Sequence, residues 1–309
     1  MDHRAQPGRR SDMKLGMPVR NVLCALAIAI PLLLLPAGFQ LATAQEPSDD
    51  AGSNPVSDIS YSFPDSIPFG VGERLRYHMD FAFVRAGLSE MMLLGVDSTT
   101  SQPAFHFRSR VRSTSGIDLV YKVRDVVQSW FDMDSLYSVR FEKDIREGSF
   151  RSRKYLDYNH HTQWASISNE FGPKGVTAIE QWTHNIISAL YWVRTQPLEK
   201  GKDLRIPLHD IDKQYPMVVR VYGRETVEVP AGRYECWKVE PMVESEGLFK
   251  QAGRLWVWLS DDEHRIPVKM NSKIPVGVIE GKLVDYQPPF TPEELQTWSE
   301  DLAPDDWDW

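Results

Sequence analysis

Between Glu73 and Val84, in "ERLRYHMDFAFV", the apolar side chains fall on every second residue. Leu75, Tyr77, Met79, Phe81 and Phe83 lie on one side of an extended chain, and Arg74, Arg76, His78 and Asp80 on the other. A period of two is the signature of a strand with one buried face. The alternation returns in "AFHFRSRVRS", where Phe105, Phe107, Ser109 and Val111 oppose His106, Arg108, Arg110 and Arg112. Shorter runs continue it, among them "LYSVRFEKDI", "FRSRKYLDY", "YPMVVRVYGRETVEVP", "RYECWKVEPMV", "GRLWVWLS" and "VGVIEGKLVDY". Turn-forming stretches such as "DMDS" and "REGS" separate some of them. A dozen or so strands without a strand–helix–strand rhythm predict a mainly β, antiparallel fold. A sheet that large must curl, stack or close to bury its apolar face. The expected architecture is a large curved antiparallel sheet or half-open barrel.

One segment breaks the period. In "THNIISALYWVR", Ile186, Ile187, Leu190 and Val193 are spaced as on a helix. Thr183 is the expected N-cap, Arg194 a cation near the C-terminus, and Pro197 a stop. A covering helix over about 183–195 is expected on the concave side of the sheet. Near the C-terminus, "TPEELQTW" predicts a short helix capped by Thr291 with Pro292 in its first turn.

The two ends differ from the body. The 309-residue chain opens with the basic "RRSDMKLGMPVR", the apolar "NVLCALAIAIPLLLL" and a small-x-small motif at Ala42-Thr43-Ala44. That is the pattern of a secretory signal peptide over 1–44, cleaved between Ala44 and Gln45. Its apolar run is short for a bilayer and contains Pro31, so no retained membrane helix is expected. Met1, Met13 and Met17 all remain open as the start. Residues 45–66 read as a disordered lead-in, 67–288 as a single β-rich domain, and 289–309 as an acidic aromatic tail. Residues 46–66 carry five acids and no bases, and 290–309 seven acids and no bases. The body between is nearly neutral, with 29 acids and 30 bases over 67–289, which gives a nucleic-acid partner no support. After cleavage only Cys236 remains, so no internal disulfide is available in the oxidising compartment implied by export.

The search for chemistry finds mostly weak candidates. Neither phosphate-binding glycine motif is present, and the serine-hydrolase elbow and H-E-x-x-H are also absent. His160-His161 are adjacent, so on a strand they would point to opposite faces and could not chelate together; turn or surface positions are expected. "HDID", His209 to Asp212, lacks the spacing of a metal loop. "SDDEHR", Ser260 to Arg265, reads as a solvated hairpin tip, with acid–base use of Asp261 and His264 as the alternative. Cys236 sits between Glu235 and Trp237, with nothing to lower its pKa, and reads as a buried small side chain. The hairpin "VEVPAGRYECWKVEP" instead turns on Pro230, Ala231 and Gly232. Arg108, Arg110 and Arg112 share one strand face, as do Arg151 and Arg153. Were those strands neighbours, five guanidiniums would form an anion-binding face, as for lipid headgroups. The other reading is a solvent face paired with acids on adjacent strands. No cofactor, metal site or catalytic residue is expected.

"FGVGERLRY", Gly87 in "RAGLSE", "DVVQSWFD", "SALYWVR", "VEVPAGRYECWKVEP" and "LWVWLSDDEHRIPVKM" followed by "PVGVIEGKL" occur in order. Over Phe69 to Tyr286 they resemble the exported bacterial family known as domain of unknown function 3108. Asn185 departs from the pattern, where an acidic residue would precede "SALY". The resemblance implies a β-rich envelope protein with no established activity. By analogy of fold it also resembles half-open barrels of periplasmic lipoprotein carriers. The reading that follows is a non-enzymatic periplasmic protein, outer-membrane-associated or free, binding a lipid-like ligand or an envelope partner in a concave sheet. The alternatives are an assembly factor docking through its acidic tail and an uncharacterised hydrolase.

Overall fold

The computed structural model describes residues 66–210, 213–243, 254–274 and 277–299. The signal segment, Ala44-Gln45, Asp212 and the tail beyond residue 299 lie outside the described residues.

Fourteen strands form one sheet. The first eight are β1 (Arg74–Phe81), β2 (Val84–Asp97), β3 (Ala104–Ser113), β4 (Arg124–Asp132), β5 (Ser138–Glu147), β6 (Phe150–Asn159), β7 (Trp164–Asn169) and β8 (Gly172–Ala178). The others are β9 (Leu204–Asp210), β10 (Lys213–Val229), β11 (Gly232–Val243), β12 (Arg254–Ser260), β13 (Pro267–Ile274) and β14 (Gly277–Gln287). The helices are α1 (Ser115–Asp118), α2 (Ile186–Thr195) and α3 (Pro292–Thr297). The strand order is β8-β7-β6-β5-β4-β3-β2-β1-β14-β13-β12-β11-β10-β9, every pairing antiparallel. Two meanders are therefore joined where β1 pairs with β14. No described helix is long and apolar enough to cross a membrane.

The helix shows how far the sheet curls. α2 packs against both β4 and β9, nine strand spacings apart in the order. Flat, those strands would stand about 43 Å apart, whereas a helix with its side chains is only ~10–12 Å across. The sheet must coil round α2. Tyr158 on β6 also meets His209 on β9, ring centroids 5.6 Å apart. The β7–β8 hairpin thus runs past the point of near-closure, and β8 keeps most of its residues exposed. The free side of β9 is met by a parallel bridge from His184 to Leu208.

The concave side is filled. Phe69 packs edge-on against Tyr191 of α2 at 4.6 Å, and Phe107 and Phe131 meet the same ring at 5.1 and 5.3 Å. Leu75, Tyr77, Met79, Met91 and Leu93 supply the sheet wall, each essentially inaccessible. Phe83 does not continue this stripe. The strand ends at Phe81, and Phe83 lies fully exposed in the turn to β2, because reversal takes it off the pleat.

Within the core, Arg194 makes a bidentate pair with Glu73 at 2.8 and 2.7 Å, and both side chains are 0% exposed. Its second amino group also donates to the His264 carbonyl at 2.9 Å, and the guanidinium lies over Phe69 and Tyr191. Burial opposes the charge, but the adjoining Glu73 carboxylate outweighs it and holds Arg194 above the ordinary arginine range. Three stretches that carry the family resemblance meet here: "FGVGERLRY", "SALYWVR" and "LSDDEHR".

The helix begins later than the spacing predicts. Asn185, not Thr183, is its N-cap, accepting from Ile187 and Ser188 at 2.9 and 3.1 Å. Thr183 instead donates to the Glu180 carbonyl. Asn and Asp cap helices almost equally well, which gives the Asn at this position a physical rationale. The Pro230-Ala231 turn joins β10 to β11, and Gly232 has the positive φ expected of it, 142°. A Cβ at Gly87 would stand 2.6 Å from the Arg112 carbonyl, so only glycine lets β2 and β3 approach there. Thr291 caps α3 in a capping box with Glu294 and Pro at the first turn, as expected. Trp298 donates to the Leu94 carbonyl at 2.7 Å and Phe290 packs on Trp298. Residues 290–298 are thus pinned to the start of the domain rather than held away from it.

Two predictions arise. Glu73→Gln or Arg194→Met leaves one buried charge uncompensated and should cost about 3–5 kcal/mol in denaturant unfolding. The double variant Glu73→Leu/Arg194→Met should recover much of that loss, and single variants costing under about 1 kcal/mol would contradict the pairing. The second concerns Asp125, near the start of β4, and Glu147, at the end of β5, whose carboxyls act on each other electrostatically. Burial raises Asp125 to about 6 against a backbone hydrogen bond from Arg146, and raises Glu147 to about 7 with help from the Asp125 charge. Raised folded values mean the native state binds more protons. The stabilisation is therefore complete below the unfolded values and lost as pH rises through about 6 to 7. Unfolding free energy should fall by about 2 kcal/mol between pH 5 and pH 8, and Glu147→Gln should flatten most of that slope.

Candidate functional site

The arginines do not form one cluster. Cross-strand pairing places Arg110, Val126, Asp144 and Arg153 in one row, so both runs share the sheet face opposite the core. β3 and β6 are separated by β4 and β5, leaving the runs about 14 Å apart. Acids are interleaved with them. Arg110 pairs with Glu90 at 2.6 Å, as does Arg76 at 3.2 Å; Arg153 pairs with Asp144 at 3.0 Å. Arg151 donates to the carbonyls of Gly148 and Phe150, while Arg108 and Arg112 are half-buried on the same strand as Arg110.

The remaining sequence candidates have structural roles. In "SDDEHR", Asp262 accepts from Ser260, His264 and Arg265, closing the turn. Asp261 accepts from the Trp237 indole at 2.6 Å and pairs with Arg224, and Glu263 points into solvent. Cys236 is inaccessible; burial and then the carboxylates of Asp262 and Glu235 push its thiol up to about 12, so it forms no thiolate near neutral pH. His209 is buried against Tyr158. Among the described residues no group of three or more His, Cys, Asp or Glu could hold a metal ion.

The turn histidines lead to a cleft of about 760 Å³. In a meander, alternate connections emerge at the same end of the sheet. Four do so here: β2–β3, β4–β5, β6–β7, and the segment leaving β8. They contribute Gln102, Tyr137, His160 with His161, and Trp182. The floor is the non-core face of β5–β8, where the register aligns Arg140, Asp157, Ser166 and Val176 in one row. Trp164 stands at its rim, half exposed.

These walls are held from behind. The Tyr137 ring lies 4.2 Å from His160 and 5.4 Å from Trp182, centroid to centroid. Gln102 donates to the Tyr137 hydroxyl and to Asp132, fixing the phenol; burial raises the Tyr137 pKa, so it stays protonated. His160 Nε2 lies 2.7 Å from the Ser138 carbonyl, and since a carbonyl only accepts, Nε2 carries the proton. Burial lowers the His160 pKa and favours the neutral ring, leaving Nδ1 an acceptor without a hydrogen-bond partner among the described residues. Ser138 Oγ in turn meets the Asn185 amide and Ser188, so the cleft wall is tied to the N-cap of α2. His184, in the same buried network, is driven down to about 3 by desolvation and then by His160. Trp182 has φ 63°, a conformation bulky residues rarely adopt. Arg140 and Asp157 pair at 2.7 Å across the floor, and Arg140 also lies over Trp130.

Sequence reasoning placed His160 and His161 in a turn but missed Tyr137, Trp164 and Trp182. The available signal was that each is a large aromatic at or beside a polar turn.

The chain matches the family described as protein of unknown function (DUF3108) over residues 76–284. Among curated proteins none matches. Among solved structures, the chain is similar to a beta-barrel-like protein of domain of unknown function DUF1849 from Brucella abortus. The TM-score is 0.50 and the identity 13%, with 72% of this chain and 100% of that one covered. A candidate lipoprotein from Parabacteroides distasonis aligns at TM-score 0.33 and 9% identity, covering 72% of this chain and 99% of that one. A candidate exported protein with YmcC-like fold from Bacteroides fragilis aligns at TM-score 0.29 and 12% identity, covering 73% and 99%. The Brucella likeness concerns the fold, and the family match spans most of the sheet from β1 to β14. The chain belongs to the DUF3108 family of proteins of unknown function.

Proposed function

We propose that the protein is an exported, non-enzymatic binding module of the cell envelope that works in the periplasm and holds its ligand or partner in the end cleft. One observation carries the location. The concave interior is occupied by α2 and its aromatic partners, whereas the cleft of about 760 Å³ stands open. Its volume lies within the ~300–1,000 Å³ of small-molecule sites. A lipid chain within the concavity would have to displace Tyr191 and the ring cluster round it, so the lipid-like reading moves outward or fails. The basic, apolar and small-x-small order of residues 1–44 supports export. The inert Cys236 and the turn-bound Asp261 and Asp262 support a binding role over a catalytic one.

Hydrogen exchange of the purified protein with and without detergent-free envelope extract tests this reading. Added protection should centre on residues 100–102, 137–140, 157–166 and 181–182. Protection confined to α2 and the inner strand faces, or none anywhere, would contradict it.

A further inference from the structure

We propose that the end cleft is a subsite for a neutral oligosaccharide. The inference rests on the reading of the cleft as the binding site and adds the class of ligand.

Charge narrows the choice first. Arg140 and Asp157 are the only Lys, Arg, Asp or Glu among the lining residues, and they neutralise each other at 2.7 Å. Burial holds His160 toward its neutral form. A phosphate, carboxylate or ammonium group would meet no net opposing charge, so a headgroup or a charged peptide gains little here. Acyl chains are disfavoured for a different reason. Val139 and Val176 are the only aliphatic side chains in the lining, and a lipid tail needs a continuous apolar wall.

What remains suits sugars. A pyranose presents a flat face of C–H groups and an equator of hydroxyls that both donate and accept. Tyr137 and Trp182 from two connections, and Trp164 from the first position of β7, place three aromatic side chains in the lining. Asn159 and Gln181 offer amides, each a donor and an acceptor on one planar group, and Gln102, whose amino group is committed to Tyr137 and Asp132, offers its carbonyl. The Arg140–Asp157 pair sets a planar donor fork beside a planar acceptor fork, the arrangement that adjacent hydroxyls can bridge. The anchoring of Tyr137 by Gln102 and of His160 by Ser138 means little must be ordered on binding. Three aromatic residues from separate elements, in about 760 Å³, fit a chain of several sugars better than a single one.

The test is titration of the full-length protein with chitotetraose, cellotetraose and maltotetraose, read by tryptophan fluorescence and calorimetry. At least one should bind saturably, and Trp164→Ala and Trp182→Ala should each weaken that binding by about tenfold or more. Asp157→Asn should weaken it less, severalfold, with thermal unfolding unchanged. Trp164 is half exposed, so its variant keeps the test valid should Trp182→Ala fold poorly. Parallel hydrogen-exchange runs use envelope extract with and without periodate, which cleaves vicinal diols. Cleft protection that survives periodate, with no binding of any tetrasaccharide, overturns the sugar inference while leaving the cleft as a site. Tetrasaccharide binding unchanged by both tryptophan variants also overturns it. The absence of cleft protection by any extract or tetrasaccharide overturns the underlying reading as well.

Discussion

A single arginine holds the helix to the sheet that coils round it. Arg194 stands in the last turn of α2, wholly out of water, with its fork on Glu73 just before β1 and a further bond to the turn between β12 and β13. Burying a guanidinium without a partner would be prohibitive, so the position of α2 is tied to β1 and to the β12–β13 hairpin together. Those elements lie in both meanders, on either side of the β1–β14 pairing. Apolar packing can settle a helix in a concavity in several registers, whereas a bidentate pair accepts one. The pair is best read as a device of specificity as much as of stability.

The open edge follows from that closure. Once β6 reaches β9 through Tyr158 and His209, the inner space is full and the β7–β8 hairpin has nothing to enclose. It extends the outer face instead, and the alternate turns of the same meander rise at one end of it. The proposed binding site thereby moves from the interior, where an open barrel would put it, to a rim built largely of turns. Rigid elements behind the rim, through Ser138 and Asn185, connect it to the same helix that Arg194 fixes.

Much of the fold was legible in the sequence because a half-buried strand must alternate. Leu75, Tyr77, Met79 and Phe81 declared β1, and Ile187 with Leu190 and Val193 declared the helix. Phe83 misled because alternation persisted by chance into the turn. Thr183 misled because its hydroxyl is also a capping group, and the chain path places Asn185 at the cap instead. The arginine runs were legible as a face but not as a distance, since strand order over two intervening strands is not written in local periodicity. The cleft was hardest to see. Its residues come from four connections and the strands beneath them, and they converge only through the meander.

The central claim is that the DUF3108 chain binds at its rim and not inside its sheet. Indole N–H resonances report this directly, since Trp164 and Trp182 line the cleft while Trp192 lies in the filled interior. On titration of the isotope-labelled protein with envelope extract, the Trp164 and Trp182 resonances should shift together while Trp192 stays fixed. A shift of Trp192 with Trp164 and Trp182 unmoved would contradict the account.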